Sequence, residues 1–301
     1  MTSGFCRACE ERVEYPDRYC QKCGVWVPDL RRDRVELEVG VAAGISDRGL
    51  RHHRNEDALA LREVCQEPAD RGVAVAIVCD GVSSSAYPAQ ASETAAEVAA
   101  NTLVTALRTD DGPATATREA IHAAGRAVAE LAHPGLGGAD HTAPACTVVS
   151  AIVTLDTVTV GWVGDSRAYW IPQAGTGATP ARLTSDDSWL AQVLAAGTLT
   201  PAQAATDRRA HAITAWLGQD AGQLNPHIVT IEPKGSGVVV VCTDGLWNYL
   251  DSVEELAAAL PSQALKAPLD AARSLVEIAL HCGGRDNITV AVLPFVTGGP
   301  S

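Results

Sequence analysis

Five short acidic motifs sit where apolar runs begin or end. Asp80-Gly81 follows VAVAIVC, Asp244-Gly245 follows VVVVCT, and Asp165 follows TVGWVG. Asp286 precedes ITVAVLPF, and Glu56-Asp57 precedes ALALREV. A single Asp at the end of a strand is ordinarily a turn former. Two Asp-Gly pairs after near-identical β-branched runs argue for more than turns. If the strands share one sheet edge, six carboxylates converge.

Such a cluster is unstable alone, because two carboxylates about 4 Å apart repel by roughly 4 kcal/mol at an effective dielectric near 20. It must take up protons or hold hard divalent cations. Oxygen-only donors favour magnesium or manganese over zinc. Paired cations of that kind lower the pKa of bound water and clamp phosphoryl oxygens. The charge argument therefore reaches metal-dependent phosphoryl chemistry.

A second constellation lies at the N-terminus, where Cys6-x-x-Cys9 and Cys20-x-x-Cys23 offer four thiolates within a segment too short to bury its own core. Tetrahedral zinc is the expected occupant. With no open coordination position in the pattern, the site is expected to be structural. A redox pair or two disulfides are the competing readings.

The elements that must position these groups alternate apolar strand runs with Ala-rich stretches. Strands are expected over Val35–Ile45, Ala58–Val64, Val73–Cys79, Cys146–Leu155, Thr157–Val163 and Ala168–Ile171, and later near Ile228–Ile231, Val238–Cys242 and Ile288–Pro294. Helices are expected over Pro88–Leu107, Ala114–Ala132, Ser252–Leu260 and Leu269–His281, with a Gly/Pro-rich loop over His133–Pro144. This order indicates an α+β layered fold rather than a strict βαβ repeat. The divisions are a zinc-ribbon-like module over 1–27, a polar linker over 28–34, the main domain over 35–297 and a tail over 298–301.

The chain has 301 residues, 47% apolar and 20% charged, which is ordinary for a globular protein. Its net charge is −13; the first 34 residues carry seven Lys/Arg against six Asp/Glu, leaving −14 on the remainder. Non-specific binding to nucleic acid or to an anionic membrane is disfavoured by that balance. No apolar run reaches the roughly 18 residues of a membrane helix, and no signal-peptide pattern opens the chain, so a cytoplasmic location is expected. Cys65, Cys79, Cys146, Cys242 and Cys282 mostly lie in apolar runs and are expected to be reduced.

Taken in order, SDRGLRHHRNED (46–57), VCDG (78–81), VGDSRAYW (163–170), LTSDDS (183–188), CTDGLWNYL (242–250) and GGRDNITV (283–290) resemble the PP2C-type (PPM) protein serine/threonine phosphatases. The resemblance spans nearly all of 35–297. It implies a four-layer αββα sandwich of two antiparallel sheets flanked by helices. Between the sheet ends it implies two Mn2+ or Mg2+ ions, with a weaker third, that activate water for one-step, in-line attack on phosphoserine or phosphothreonine. On that resemblance Asp80 bridges the metals, the Gly81 carbonyl, Asp244 and Asp286 complete the first, and Glu56 serves the second. Asp57 would hydrogen-bond metal waters, Asp165 with Asp244 would form the third site, and Asn287 would shape the loop. Ser166 and Arg167 would support structure.

Three departures stand out. The family's phosphate-binding Arg is His52 here, which puts the role on His52 or Arg51, with Arg54 nearby. The DG-x-GG run reads Asp80-Gly81-Val82-Ser83-Ser84, and Val82 has no proton to donate, so a water must protonate the leaving group. The Gly-Thr-Thr strand start is Ala145-Cys146-Thr147. Asp186, Asp187 and His211 fall in the variable flap region and read as solvated flap residues, with third-metal or substrate contacts as the alternative; His122, His227 and His281 read as core or surface. The implied partners are a phosphorylated protein substrate, the serine/threonine kinase that produces it, and a protein captured by the zinc module. The rival readings are a catalytically weak or inactive binding or regulatory module of the same fold recruited through its zinc knuckle, a zinc module that is itself the functional centre, and a phosphatase of small phosphorylated molecules.

Overall fold

The computed structural model describes residues 3–5, 9, 12–14, 20–24, 33–65, 72–109, 112–132, 143–210 and 212–297. Two short strands, β1 (Ser3–Phe5) and β2 (Arg12–Glu14), pair antiparallel near the N-terminus. The rest is a two-sheet sandwich. One sheet has the order β11-β10-β14-β15-β4-β3: Ala181–Arg182, Arg167–Pro172, Gly237–Cys242, Ile288–Phe295, Ala42–Asp47 and Arg34–Val39. The other has the order β13-β9-β8-β6-β5: His227–Ile231, Val158–Val163, Val148–Val153, Val73–Asp80 and Asp57–Val64. Every pairing in both is antiparallel. A minor two-stranded pair joins β7 (Ala145–Cys146) to β12 (Leu217–Gly218).

Helices α1 (Pro88–Arg108) and α2 (Pro113–Glu130) cover the five-stranded sheet. Each opens with Pro in its first turn, where the missing N–H costs nothing. Buried Ala91, Ala95, Ala99 and Leu103 recur on one face of α1, and Ala116, Ala120, Ala124 and Val128 on one face of α2. Small side chains let both helices lie close to the sheet. Four further helices, α3 (Trp189–Ala195), α4 (Pro201–Ala205), α5 (Asp244–Trp247) and α6 (Val253–Ala259), precede α7 (Pro268–His281), which covers the six-stranded sheet. Between the sheets Val78, Val149, Trp162, Trp170, Val241 and Leu293 form the middle layer. This is the expected four-layer α+β sandwich. Central strands covered on both faces read as continuous apolar runs, and β14, GVVVVC, is buried throughout.

Two details depart from expectation. Val35–Ile45 is a hairpin rather than one strand, because Gly40 (φ 58°) turns the chain between β3 and β4. Asp244 and Gly245 do not simply end a strand; they open the short helix α5, with Thr243 at the position before its first residue. The expected loop over 133–144 lies almost wholly outside the described residues, as do His211, Cys6, most of the linker and the tail.

Candidate metal centre

All the strand-end acids gather at one end of the sandwich. Asp57 opens β5 and Asp80 closes β6, and the two stand directly opposite each other in the antiparallel register. Like charges in that position are destabilising. Asp244 follows β14, Asp286 precedes β15, and Asp165 lies on the connection from β9 in one sheet to β10 in the other. The sheets thus contribute acids from both sides of their common end.

A hydroxyl relay fixes the centre. Asp57 is buried, and its Oδ2 accepts from Thr243 Oγ1 at 2.9 Å and Thr289 Oγ1 at 2.8 Å, both on the opposite sheet's side. Since Thr289 spends its only hydroxyl proton on Asp57, Ser46 Oγ must donate to Thr289 Oγ1 (2.8 Å), and Asn55 Nδ2 donates to Ser46 (2.8 Å). Asn287 staples the neighbouring loop. Its Oδ1 accepts from the Glu56 N–H at 2.7 Å, and its Nδ2 donates to the carbonyls of Arg48 and Arg54. Gly81 must be glycine: an added Cβ would stand 2.5 Å from the Pro88 carbonyl oxygen and 2.6 Å from that of Glu56. At Gly245 the obstacle is the carbonyl oxygen of Asn287.

The electrostatics are those of an acid ring without compensating cations. Burial, and then the charges of Asp57, Asp244, Asp165 and Asp286, push the Asp80 carboxyl well above its ordinary range. Burial and the neighbouring Asp286, Asp165 and Asp57 do the same to Asp244. Asp57 is raised to about 7, chiefly by burial, against the lowering effect of its two threonine hydrogen bonds. Asp165 is raised to about 6 by burial and by Asp186. Two buried oxygens, Asp57 Oδ1 and Asp244 Oδ1, have no hydrogen-bond partner. Orphaned buried carboxylate oxygens are costly unless a cation or proton meets them. An all-oxygen donor set with such orphans fits hard divalent cations. Among the described residues no three of these acids bring oxygens within 4.8 Å of one another, so they surround the centre rather than pinch a single point.

Glu56 is buried at the rim, its two oxygens engaged by Arg54 Nε (2.8 Å) and Ser83 Oγ (2.7 Å). His52 Nε2 lies 3.0 Å from Asp286 Oδ1. Arg51, His52, His53 and Arg54 line one cleft of about 490 Å³ together with Glu56 and Ser83. The structure places His52 and Arg51 in the same cleft as Glu56. Thr243, Thr289 and Ser83 were not anticipated as site residues. Their signal was adjacency, since each stands one to three residues from a motif acid.

Asp186 and Asp187 are not solvated flap residues. Asp186 takes a two-pronged contact from buried Arg167, Nε to Oδ1 at 3.0 Å and Nη2 to Oδ2 at 2.8 Å. Arg167 also lies 3.7 Å from the Trp247 ring centroid, and Trp247 Nε1 donates to the Asp165 carbonyl at 3.0 Å. Asp187 Oδ2 accepts from the Gly164 N–H, and its Oδ1 meets His227 Nε2 at 2.9 Å. His227 in turn stacks on Trp162. These contacts tie the start of the flap to the Asp165 turn. Ser166 is buried on Thr147, with hydroxyl oxygens 2.8 Å apart.

At the N-terminus, Sγ atoms of Cys9, Cys20 and Cys23 lie within 4.8 Å of one another, with Cys9 and Cys20 at 3.5 Å. The backbone N–H of Cys23, ahead of smaller hydrogen-bond contributions, brings the Cys20 thiol down to about 7.

The two-sheet sandwich places the chain in the class of solved bacterial serine/threonine phosphatases. The S. agalactiae serine/threonine phosphatase aligns with 87% of this chain and 98% of its own at a TM-score of 0.66 and 26% identity. The catalytic domain of the phosphatase PstP, solved with two manganese ions, aligns with 88% of this chain and 100% of its own at a TM-score of 0.58 and 25% identity. In sequence, the serine/threonine phosphatase stp of Listeria welshimeri is 25% identical over 251 residues, 82% of this chain and 93% of that protein. The sequence profile of the family Protein phosphatase 2C matches residues 49–277, and the chain belongs to that family of serine/threonine phosphatases.

Proposed function

We propose that the enzyme removes phosphate from phosphoserine and phosphothreonine in proteins, using two Mn2+ or Mg2+ ions held at the acid ring. Asp80 would serve both ions, with Asp244, Asp286 and the Gly81 carbonyl on one and Glu56 on the other. Asp165 with Asp244 would hold a weaker third. The observation that carries this reading is the pair of orphaned buried oxygens, Asp57 Oδ1 and Asp244 Oδ1, inside a ring of acids raised by burial and then by one another's charge. The two-manganese complex of PstP supports the choice of metal. When bound, such ions acidify a water and neutralise phosphoryl oxygens.

The chain's own residues supply the rest. Asp57, anchored through Oδ2 by two threonine hydroxyls, leaves Oδ1 to orient a nucleophilic water. Arg51 and His52, at the cleft beside the ring, receive the charge that grows on the transferred oxygens. His52 is already steered by Asp286. Val82 offers no proton, so the leaving alkoxide is protonated from solvent. The complete acid set favours turnover over a purely binding role.

Residues 1–27 we assign as a structural zinc module with ligands Cys6, Cys9, Cys20 and Cys23, of which Cys6 lies outside the described residues. The support is the closeness of the other three sulfurs. Residues 28–34 would link it to the phosphatase domain of 35–297, followed by a tail over 298–301, and the module would recruit a protein partner. Among the described residues no helix is long and apolar enough to cross a membrane. No disulfide among the described residues joins Cys65, Cys79, Cys146, Cys242 or Cys282, which suits a reducing, cytoplasmic compartment. A serine/threonine kinase would supply the substrate.

The test is a panel of phosphoserine and phosphothreonine peptides beside small phosphorylated metabolites, assayed for phosphate release with manganese. Peptides are expected to show the higher kcat/KM. Higher kcat/KM on a metabolite would overturn the substrate assignment while leaving the enzyme class intact.

A further inference from the structure

Both oxygens of Glu56 are taken by side chains that line the open cleft. Ser83 Oγ donates to Oε2 at 2.7 Å, and Arg54 Nε donates to Oε1 at 2.8 Å. Asp57 and Asp244 each keep a buried oxygen unclaimed. The resemblance to the DG-x-GG run puts a glycine, with no side chain to offer, where this chain has Ser83. Arg54 follows His53 in the run RHHRNED. The carboxylate is buried, but both clamps reach it from the open cleft, where the Arg54 side chain is 62% exposed.

The two clamps differ chemically. A neutral hydroxyl fixes the carboxylate's rotation and leaves its charge and a second lone pair on Oε2 for a cation. A guanidinium also fixes the rotation, but brings a positive charge within bonding distance of Oε1, where it opposes an incoming divalent cation. One clamp prepares the ligand and the other competes for it.

We infer that Ser83 and Arg54 are positioning residues of opposite sign for Glu56: Ser83 presents the carboxylate to the cation on its side of the ring, and Arg54 holds that cation's affinity down. The cation served by Glu56 is then the more weakly held of the pair. An anionic group entering the cleft competes with Glu56 for Arg54 and so tightens that cation. This rests on the assignment of Glu56 as a ligand of the second ion.

The experiment is manganese binding by the full chain, followed by calorimetry and by the paramagnetic resonance of the free ion, with wild type, Ser83→Ala, Ser83→Thr and Arg54→Ala. Loss of a partner that orients a ligand costs about 10-fold or more in metal affinity, so Ser83→Ala is expected to weaken the weaker manganese site by about 10-fold. Ser83→Thr, which keeps the hydroxyl, is expected to restore it. Removing an exposed competing cation is worth a factor of about two to five, so Arg54→Ala is expected to tighten the same site by that factor. It should also abolish any tightening that inorganic phosphate produces in the wild type. Each alanine variant takes a partner from the buried Glu56 carboxylate, so a modest fall in the metal-free melting temperature is expected, and a single cooperative thermal transition shows that each variant folds. If the wild type binds two manganese ions but the two alanine variants shift affinity in the same direction, or neither shifts it, the inference is overturned and the metal assignment stands. A wild type that binds no manganese would overturn both.

Discussion

Replacing Arg167 with methionine isolates the network that fixes the Asp165 turn. Arg167 is only 6% exposed in its side chain, and its guanidinium meets both oxygens of Asp186, itself 12% exposed. A third contact, to Asp251, reaches a side chain that is 79% exposed and contributes little. Removing one partner of a buried pair costs about 3–5 kcal/mol, because the remaining charge is stranded. Arg182, whose Nη1 lies 3.8 Å from Asp186 Oδ1, offers partial relief, so the lower end applies, about 3 kcal/mol. Methionine keeps most of the apolar contact with Trp247 that alanine would lose. In a chain of 301 residues about 3 kcal/mol lowers the melting temperature by roughly 5 °C. The assay is thermal and urea unfolding of wild type, Arg167→Met, Asp186→Asn and the double variant. With neither charge stranded, the double variant is expected to regain most of the loss, a coupling of about 2 kcal/mol. A single variant within about 0.5 kcal/mol of wild type, or a double variant no better than the single, would refute the reasoning.

Three further outcomes follow from the same contacts. Gly81→Ala forces the new Cβ against two backbone carbonyls, 2.5 and 2.6 Å away; manganese-stimulated turnover is expected to fall by about 100-fold or more, since small displacements of aligned groups cost that much. Thr289→Val removes one donor to buried Asp57 and interrupts the relay from Asn55 and Ser46; unfolding in denaturant should show a loss of about 1–3 kcal/mol. Metal-free protein should respond to acid in the opposite way from most proteins. Asp57 is raised to about 7, so between the unfolded carboxylate range near 4 and about 7 the folded state binds more protons, and stability is lost as pH rises through that window. With chelator, the melting temperature is expected to rise from about pH 7 to about pH 5.5 by the equivalent of about 1.5 kcal/mol, and to fall over the same interval when manganese is bound. A chelated protein that loses stability on that acidification would contradict the raised carboxyl.

Much of the site was legible because its acids sit at the ends of strands that their own side chains define. The runs before Asp80 and Asp244 and after Asp286 and Asp57 mark where each strand starts or stops, and antiparallel pairing brings those ends to one edge. What spacing cannot give is which side chain faces which across the two sheets. Thr243 and Thr289 read as ordinary β-formers; only the packing of one sheet on the other turns both hydroxyls onto Asp57. Ser83 read as a lost glycine, a matter of backbone freedom, and its hydroxyl proved to hold Glu56. Asp186 and Asp187 lay in a polar stretch with no periodicity, so their partners Arg167, Gly164 and His227, up to 40 residues away, were invisible there. The break in Val35–Ile45 was signalled by Gly40, which is easily passed over in a strand-like stretch that also holds Gly44.

The decisive measurement is hydrolysis of a chromogenic phenyl phosphate by the full chain, with manganese and with chelator, beside Asp80→Asn. Turnover that depends on manganese and is abolished in the variant is expected, because Asp80 lies between the acids of both sheets. Equal turnover in chelator, or an Asp80→Asn variant as active as the wild type, would contradict the assignment of the acid ring as the catalytic metal centre.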